Sequence, residues 1–266
     1  MPLEGQHDET GRAAVALDGL EEFARFAAVN GGRQRGVPGQ DLNAVFAPAI
    51  DAYRRSRRKV LRLYPTVEHT LKALNDRGCL VVGYTESPAF YTHYRLRKLN
   101  LDLRLDFVYS PPDHELPANV RRETIRTKPP EAYRLRKTIH RHTPPEELKP
   151  NPRILAQIVS EVGAERDDCV YVGDNLMKDI AMARQAGIAD VWARYGYAAD
   201  RPEYELLRAV THWSARDVQR EKDLTPTRIT PNWILSDCLG QIMTFFRFAA
   251  FRRRAEPSLP CRKQVI

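Results

Sequence analysis

The stretch CVYVGDNLMKDIAMARQAGI, Cys169–Ile188, decides the fold of this chain. Its first four residues are apolar and β-prone and are followed by Gly173, a pattern typical of a buried strand in a parallel sheet. Asn175 then offers an N-cap for a helix, and Gly187 stands where a left-handed C-terminal cap would fall. The stretch therefore predicts a strand, a tight loop and a helix.

Two carboxylates follow this predicted strand. Asp174 comes directly after it, at the carboxyl end where open α/β sheets place their ligands, and Asp179 lies in the loop or the first helical turn. Two acids at one rim repel each other unless a cation lies between them, and Mg²⁺ uses one or two protein carboxylates together with water and substrate oxygens. The pattern indicates a metal site. The stretch alone leaves open a plainer interpretation, an ordinary loop aspartate followed by an acid that favours a helix N-terminus.

Length and composition narrow the class of protein. The chain has 266 residues, with 42 Lys and Arg against 34 Asp and Glu, and a net charge of +8. Its mean hydropathy of −0.51 is typical of a polar surface around one large domain or one domain with an accessory unit. The positive charge is compatible with nucleic acid, anionic membrane or phosphorylated small molecules, and it selects none of them. No apolar run approaches the ~20 residues that span a bilayer, and the first residues are polar, so we expect a cytoplasmic protein.

Helical and strand patterns alternate in the middle of the chain. In order, they are a helix, a strand, a helix and a strand: Pro65–Gly78, Leu80–Tyr84, Pro88–Leu99 and Leu105–Tyr109. Two apolar strands joined by a helix are parallel and right-handed in nearly all proteins. Residues 111–148 predict a long, partly irregular excursion with a weak helical patch at Ala132–Ile139. Asn151 and Pro152 then begin another helix, and Asp190–Arg194 indicates a further strand.

Polar groups stand at two more positions that a doubly wound sheet would bring to the same rim. Thr85 ends the Leu80–Tyr84 strand, and Lys149 comes immediately before the helix start in KPNP. Together with Asp174 and Asp179 they would open onto the carboxyl edge of the sheet. A hydroxyl, an ammonium and a carboxylate pair holding Mg²⁺ are the groups that bind and neutralise a phosphoryl group. The set therefore indicates a phosphate-binding site.

Four segments carry a family resemblance. They are a helix, an apolar strand ending in Thr, a lysine before a helix, and an acidic turn of the form G-D-x-x-x-x-D: LYPTVEHTLKALNDRG (Leu63–Gly78), VVGYTES (Val81–Ser87), KPNP (Lys149–Pro152) and YVGDNLMKD (Tyr171–Asp179). In this order they resemble the haloacid dehalogenase-like (HAD) superfamily of phosphohydrolases, and most closely its phosphoglycolate-phosphatase-like members. The resemblance covers roughly Leu63 to Gly196.

The resemblance implies a fold and a division of the chain. We expect an α/β protein, a HAD-like, Rossmann-type parallel sheet with helices on both faces and an N-terminal helical cap or cap remnant. Residues 1–62 would be that helical segment, 63–215 the α/β core and 216–266 a C-terminal segment with a basic tail.

The resemblance also implies a chemistry, the Mg²⁺-dependent hydrolysis of a phosphate monoester of a small metabolite through an aspartyl-phosphate. In that scheme Thr85 binds the phosphoryl oxygens and Lys149 stabilises charge. Asp174 and Asp179 hold or orient the metal. Nucleic acid is not an expected partner.

The chain departs from the family at the nucleophile. The family's first motif is an apolar strand that ends in D-x-D, and no D-x-D occurs in this sequence. The nearest echo is AVALDGL, Ala14–Leu20, where Asp18 could stand for the second acid but Ala16 would occupy the nucleophile position, and a methyl group forms no aspartyl-phosphate. The helical spacing of Leu17, Leu20 and Phe23 favours a cap helix instead. In that interpretation the nucleophile strand lies upstream of this chain.

The missing nucleophile leaves a second function open. A non-catalytic or truncated HAD-like protein would keep the phosphate pocket and act as a phosphate-binding or partner-binding module. A third hypothesis, a nucleic-acid-binding protein, rests on charge alone: the basic runs Arg54–Lys59 and Arg252–Arg254 lack interleaved stacking aromatics and are more typical of exposed helices.

Three other features have a plain and a functional interpretation. Lys128, in TKPP, is a rival to Lys149, but no strong apolar helix pattern follows it. His140 and His142 suggest a metal site, although alternating histidines without a nearby acid are more typical of a solvated face. The segment IMTFFRFAAFRRR, Ile242–Arg254, predicts either an amphipathic helix on a membrane surface or a final helix packed on the core.

Overall fold

The structure is a computed structural model. It describes residues 61–113, 129–145, 147–197 and 229–253, the helical pieces 47–48, 51–52, 55–56 and 58–59, and residue 219. Several sequence predictions lie outside these residues: the echo at Ala14–Leu20, most of the N-terminal segment 1–62, the rival Lys128 and the chain after Arg253. The domain boundaries stay a prediction.

Six parallel strands form two three-stranded sheets in the described part of the chain. The first sheet has the order β1, β2, β3, and its strands are Val82–Tyr84, Phe107–Ser110 and Ile139–His142. The second has the order β4, β5, β6, and its strands are Val170–Gly173, Ala189–Ala193 and Trp233–Leu235. Val108 is the register partner of both Gly83 and His140. Because every pairing is parallel, the strands of each sheet end at one common edge.

Besides short 3₁₀ turns and the helical pieces before residue 61, five helices accompany the strands among the described residues. They are α1 to α5, of which α4 is a π-helical turn continued by an α-helix: Val67–Asp76, Ala89–Lys98, Pro152–Val162, Leu176–Ile180 with Ala181–Gln185, and Ile242–Phe245. Asn151 caps α3 by accepting a hydrogen bond from the Ile154 N–H at 3.2 Å, as predicted. Asn175 caps α4 in the same way, and Gly187 has the left-handed φ of 70° predicted after it.

Neighbouring residues of β2 pack on opposite faces of the first sheet. Val108 packs against Leu96 of α2, while Tyr109 packs against Ile158 of α3. Helix α3 also contributes Val159 to the cluster that includes Met182 of α4 and Tyr171 of β4. Helices therefore cover both faces of a parallel sheet, which confirms the predicted α/β class, and α3 packs against residues of both sheets.

Two predicted helices were wrong. The weak patch Ala132–Ile139 is not a helix in the structure. Its end belongs to β3, an edge strand in which a single apolar residue, the exposed Ile139, precedes three polar ones, so no apolar alternation reveals the strand. The final helix ends at Phe245, and residues 246–253 form no regular secondary structure, with the Phe251 N–H donating to the Gly78 carbonyl at 2.8 Å. Phe246 packs on Trp233 with ring centroids 4.9 Å apart, so tertiary contacts override the helical spacing.

The C-terminal membrane hypothesis required a continuous amphipathic helix, and the described residues 242–253 do not form one. Among the described residues, every helix is too short or too polar to cross a bilayer.

Candidate active site

Lys149 and Asp179 form a buried ion pair at the carboxyl ends of β1 and β4. The Lys149 Nζ lies 2.9 Å from the Asp179 Oδ1, and the two side chains are only 11% and 8% exposed. The same ammonium donates to the Tyr84 carbonyl at 3.3 Å, at the last residue of β1. A lysine before α3, an acid in α4 and a backbone carbonyl of β1 are thus brought together from distant parts of the chain.

Two tyrosine rings surround the Lys149 ammonium. Its Nζ lies 4.6 Å from the centroid of the Tyr84 ring and 5.6 Å from that of Tyr171. The Tyr171 hydroxyl donates to the Asp179 Oδ1 at 3.1 Å. Burial by itself lowers the pKa of Lys149, but the oxygens of Tyr171 and Asp179 outweigh it and raise the pKa above that of a free lysine. Lys149 is therefore a permanent positive charge in this site.

Asp174 stands beside this pair and is exposed at the rim. Loss of hydration to the surrounding protein and the negative charge of Asp179 together raise its pKa to about 6, although Lys149 and Lys178 oppose the increase. The Trp192 Nε1 donates to the Asp174 carbonyl at 2.9 Å and fixes the backbone of the turn. Asp174 is thus an exposed carboxylate whose negative charge is not balanced by the positive charges around it.

Gly173, the last residue of β4, is required for this geometry. A Cβ at this position would overlap the side chain of Asp179. The close approach lets Asp179 fold back under the turn, where its Oδ2 accepts the Asn175 N–H at 3.2 Å. A glycine at the strand end therefore places the acid against Lys149.

Thr85 follows Tyr84, so its backbone adjoins the Lys149 ammonium. Its Oγ accepts the Ser87 N–H at 3.1 Å, which turns the chain after β1 and leaves the hydroxyl proton available for donation. The four residues singled out in the sequence, Thr85, Lys149, Asp174 and Asp179, therefore lie around one rim.

Sequence reasoning missed Glu86 and Lys178. The Glu86 Oε1 accepts the Lys149 N–H at 2.6 Å, and its Oε2 lies 3.1 Å from the Lys178 Nζ. One carboxylate thus links the loop after β1, the loop before α3 and the first turn of α4. A charged residue directly after Thr85 was the available signal, but its partners are distant in sequence.

The histidine pair belongs to another cluster. His140 is half-buried, with its Nδ1 2.9 Å from the His93 Nε2 and its Nε2 2.8 Å from the Ser110 Oγ. His142 packs its ring edge-on at 4.6 Å. The prediction of a solvated face was therefore wrong for His140, because β2 and α2 supply partners that the sequence around it does not contain.

The fit of Mg²⁺ depends on Asp174. In the described ranges, no group of three or more His, Cys, Asp or Glu side chains could hold a metal ion. Mg²⁺ needs only one or two carboxylates and keeps several waters, and the exposed, under-compensated oxygens of Asp174 have that character. Both oxygens of Asp179 already accept hydrogen bonds from protein groups, so Asp179 fits as the acid that orients the site.

A family model described as haloacid dehalogenase-like hydrolase matches residues 8–187. The chain belongs to this family. A second HAD-hydrolase-like model matches residues 148–235, a range that contains Lys149, Asp174 and Asp179. The resemblance inferred from four short motifs is thereby confirmed for the HAD family.

Among similar HAD proteins are two curated phosphatases. The chain is 27% identical to a glyceraldehyde 3-phosphate phosphatase of Methanopyrus kandleri over 61% of this chain and 60% of that protein. It is 23% identical to phosphoglycolate phosphatase 1 of Pseudomonas aeruginosa over 82% and 68% of the two chains. A solved structure of a predicted phosphoglycolate phosphatase from Haemophilus somnus is similar with a TM-score of 0.47, at 19% identity over 90% and 83% of the chains. The match to the Methanopyrus relative spans less than two thirds of that protein's length.

Proposed function

We propose that this HAD-family chain binds the phosphate monoester of a small metabolite and hydrolyses it with Mg²⁺ as cofactor. The observation that carries the proposal is the buried Lys149–Asp179 pair against the carbonyl end of β1, with Thr85 and Asp174 on the same rim. The names of the similar phosphatases support a small phosphorylated substrate. The cytoplasmic location stays a prediction from the sequence.

Each side chain has a role that follows from its surroundings. Thr85 donates its hydroxyl proton to a non-bridging phosphoryl oxygen, while its Oγ stays anchored by the Ser87 N–H. Lys149 supplies a fixed positive charge close to the phosphoryl group, because Asp179 and Tyr171 keep it protonated and in place. Asp174 would hold Mg²⁺, which when bound withdraws charge from the phosphoryl oxygens. Asp179 orients Lys149 and the turn.

The alternative function rests on the missing D-x-D motif. With Ala16 at the position that echoes the nucleophile, the chain would keep the phosphate pocket but lack the group that attacks phosphorus. Such a protein would bind phosphate without turnover and act as a phosphate-binding or partner-binding module.

Turnover of p-nitrophenyl phosphate with Mg²⁺ separates the two functions. Hydrolysis predicts turnover above buffer that Asp174→Ala reduces by about a hundredfold or more, since removal of one charge-stabilising group costs that much in many enzymes. Asp76→Ala is the matched control, because Asp76 is a 60% exposed acid on α1 that pairs with Lys72 at 2.6 Å. Turnover equal to buffer, together with retained binding of inorganic phosphate, would establish the binding module instead.

A further inference from the structure

The Lys149 ammonium has two acceptors within the protein. It donates to the Asp179 carboxylate at 2.9 Å and to the Tyr84 carbonyl at 3.3 Å. With 11% of its side chain exposed, it has little surface to offer a ligand. Lys149 therefore contributes mainly its charge to the site, and a second cation on this rim would add a direct donor to a bound phosphate beside the Thr85 hydroxyl.

Lys178 is the second lysine of this rim. Its Nζ lies 3.1 Å from the Glu86 Oε2, and both side chains are 26% exposed, so the pair faces solvent. The charge of Lys178 also reaches Asp174, whose pKa it helps to hold down. Its ammonium thus pairs with an acid that follows β1, and its charge also acts on an acid that follows β4.

The location of Lys178 is not explained by helix stability. It falls in the first turn of α4, where the helix dipole disfavours a positive charge. Its backbone N–H donates to the Asn175 cap at 2.9 Å, which any residue would do. The side chain therefore serves something other than the helix.

Glu86 has a second partner besides Lys178. Its other oxygen accepts the Lys149 backbone N–H at 2.6 Å, so the carboxylate stays in place when the ammonium moves. A partly exposed ion pair contributes little net free energy, and a doubly charged anion competes for the ammonium at small cost.

We propose that Lys178 directly binds an anionic oxygen of the phosphate monoester, and that Glu86 is its resting counter-ion, which the phosphate displaces. This inference rests on the proposed function, since it assigns a second binding lysine to the same rim. It adds Lys178 as a ligand-contacting residue and Glu86 as a positioning residue.

A double-mutant cycle on phosphate binding tests the proposal. Inorganic phosphate is titrated calorimetrically into the full chain and into Lys178→Met, Glu86→Gln and the double variant, with far-UV circular dichroism to confirm folding. We expect about tenfold weaker binding for Lys178→Met, because one charge-assisted hydrogen bond is lost. Glu86→Gln releases the ammonium and should tighten binding by about threefold to tenfold, and this gain should vanish when Lys178 is absent. Lys72→Met, at an exposed lysine of α1, is the control.

The contrary outcomes are distinct. If Glu86→Gln tightens phosphate binding equally in the Lys178→Met background, Glu86 only repels the phosphate through its negative charge. The proposed displacement of Glu86 from Lys178 is then wrong. If Glu86→Gln weakens binding, its role is to support the loop before α3. If Lys178→Met matches the wild type, the contact does not exist. If the double-mutant cycle gives the expected binding changes but the wild type shows no turnover, the hydrolase function is overturned and this inference stands. If the wild type does not bind phosphate, both are overturned.

Discussion

Asp102 is a buried carboxylate that ties a distant loop to the first sheet. It is 1% exposed and accepts the N–H groups of Arg136, Lys137 and Thr138 at 2.8 to 3.2 Å, while Arg97 lies 3.3 Å away. Burial by itself raises the pKa of Asp102, but these donors outweigh it and lower the pKa below the usual range of an aspartate. The residue therefore determines where the chain enters β3.

Asp102→Ala should destabilise the fold strongly. Three backbone N–H groups would lose their acceptor and Arg97 its counter-ion, which corresponds to a loss of about 3–5 kcal/mol in the free energy of unfolding. Urea unfolding measures the change. Asp102→Asn, which keeps the shape and one oxygen acceptor, should lose less, and exposed Asp76→Ala should show no measurable change. Equal stability of Asp102→Ala and the wild type would show that the loop is held by other contacts.

At the scale of elements, a histidine cluster joins β3 to α2. His140 of β3 contacts His93 of α2 and Ser110 of β2, with His142 on its own strand and Asp113 close by. Burial and the positive charges that His93 and His142 can acquire together lower the pKa of His140 to about 4, against the opposing effect of Asp113. This contact between strand and helix therefore requires a neutral His140.

The sign of the resulting pH dependence follows from linkage. The unfolded chain protonates His140 near pH 6.5 and the folded chain near pH 4, so the unfolded state binds more protons between these values. The free energy of unfolding should fall as pH drops through this window, by on the order of 1–3 kcal/mol for a half-buried group. Urea unfolding at pH 7.5, 5.5 and 4.5 measures it.

His140→Gln removes the titrating group, and its stability should vary less over this pH window than that of the wild type. His69→Gln, at an exposed position of α1, should leave the pH dependence unchanged. Parallel curves for His140→Gln and the wild type would contradict a role for His140.

At the scale of the whole molecule, α3 makes the two sheets depend on each other. Its Ile154 and Ile158 pack with Tyr109 of the first sheet, whereas Leu155 and Val159 pack with Met182 beside the second. Both sets lie on one helix of 11 residues, so loss of either cluster weakens the packing of the other. The Lys149–Asp179 pair adds a polar link between the loop before α3 and α4.

Ile158→Ala should therefore lower the stability of both sheets together. The cavity beside Tyr109 should cost about 2–5 kcal/mol in the free energy of unfolding. Two of the three tryptophans, Trp192 and Trp233, lie in the second sheet, and their emission should shift to the same lower urea midpoint as the far-UV circular dichroism. Ser160→Ala, on the exposed side of α3, should change stability by less than about 0.5 kcal/mol. Separate transitions for the two signals would show that the sheets unfold independently.

The sequence by itself determined the elements whose signals are local. The apolar runs of β1, β2, β4 and β5, the Asn151 and Asn175 caps and the glycine after α4 each lie within a few residues of the structure they specify. The rule that parallel strands share a carboxyl edge then placed Thr85, Lys149, Asp174 and Asp179 near one another.

Only the tertiary structure decided the rest. The edge strand β3, the non-helical chain after Phe245 and the Glu86–Lys178 pair depend on partners far away in sequence, and Glu86 and Lys178 themselves are 92 residues apart. Such contacts carry no local pattern, because a strand edge, a half-buried histidine or a rim carboxylate is specified by the surface that folding brings against it and not by its neighbours along the chain.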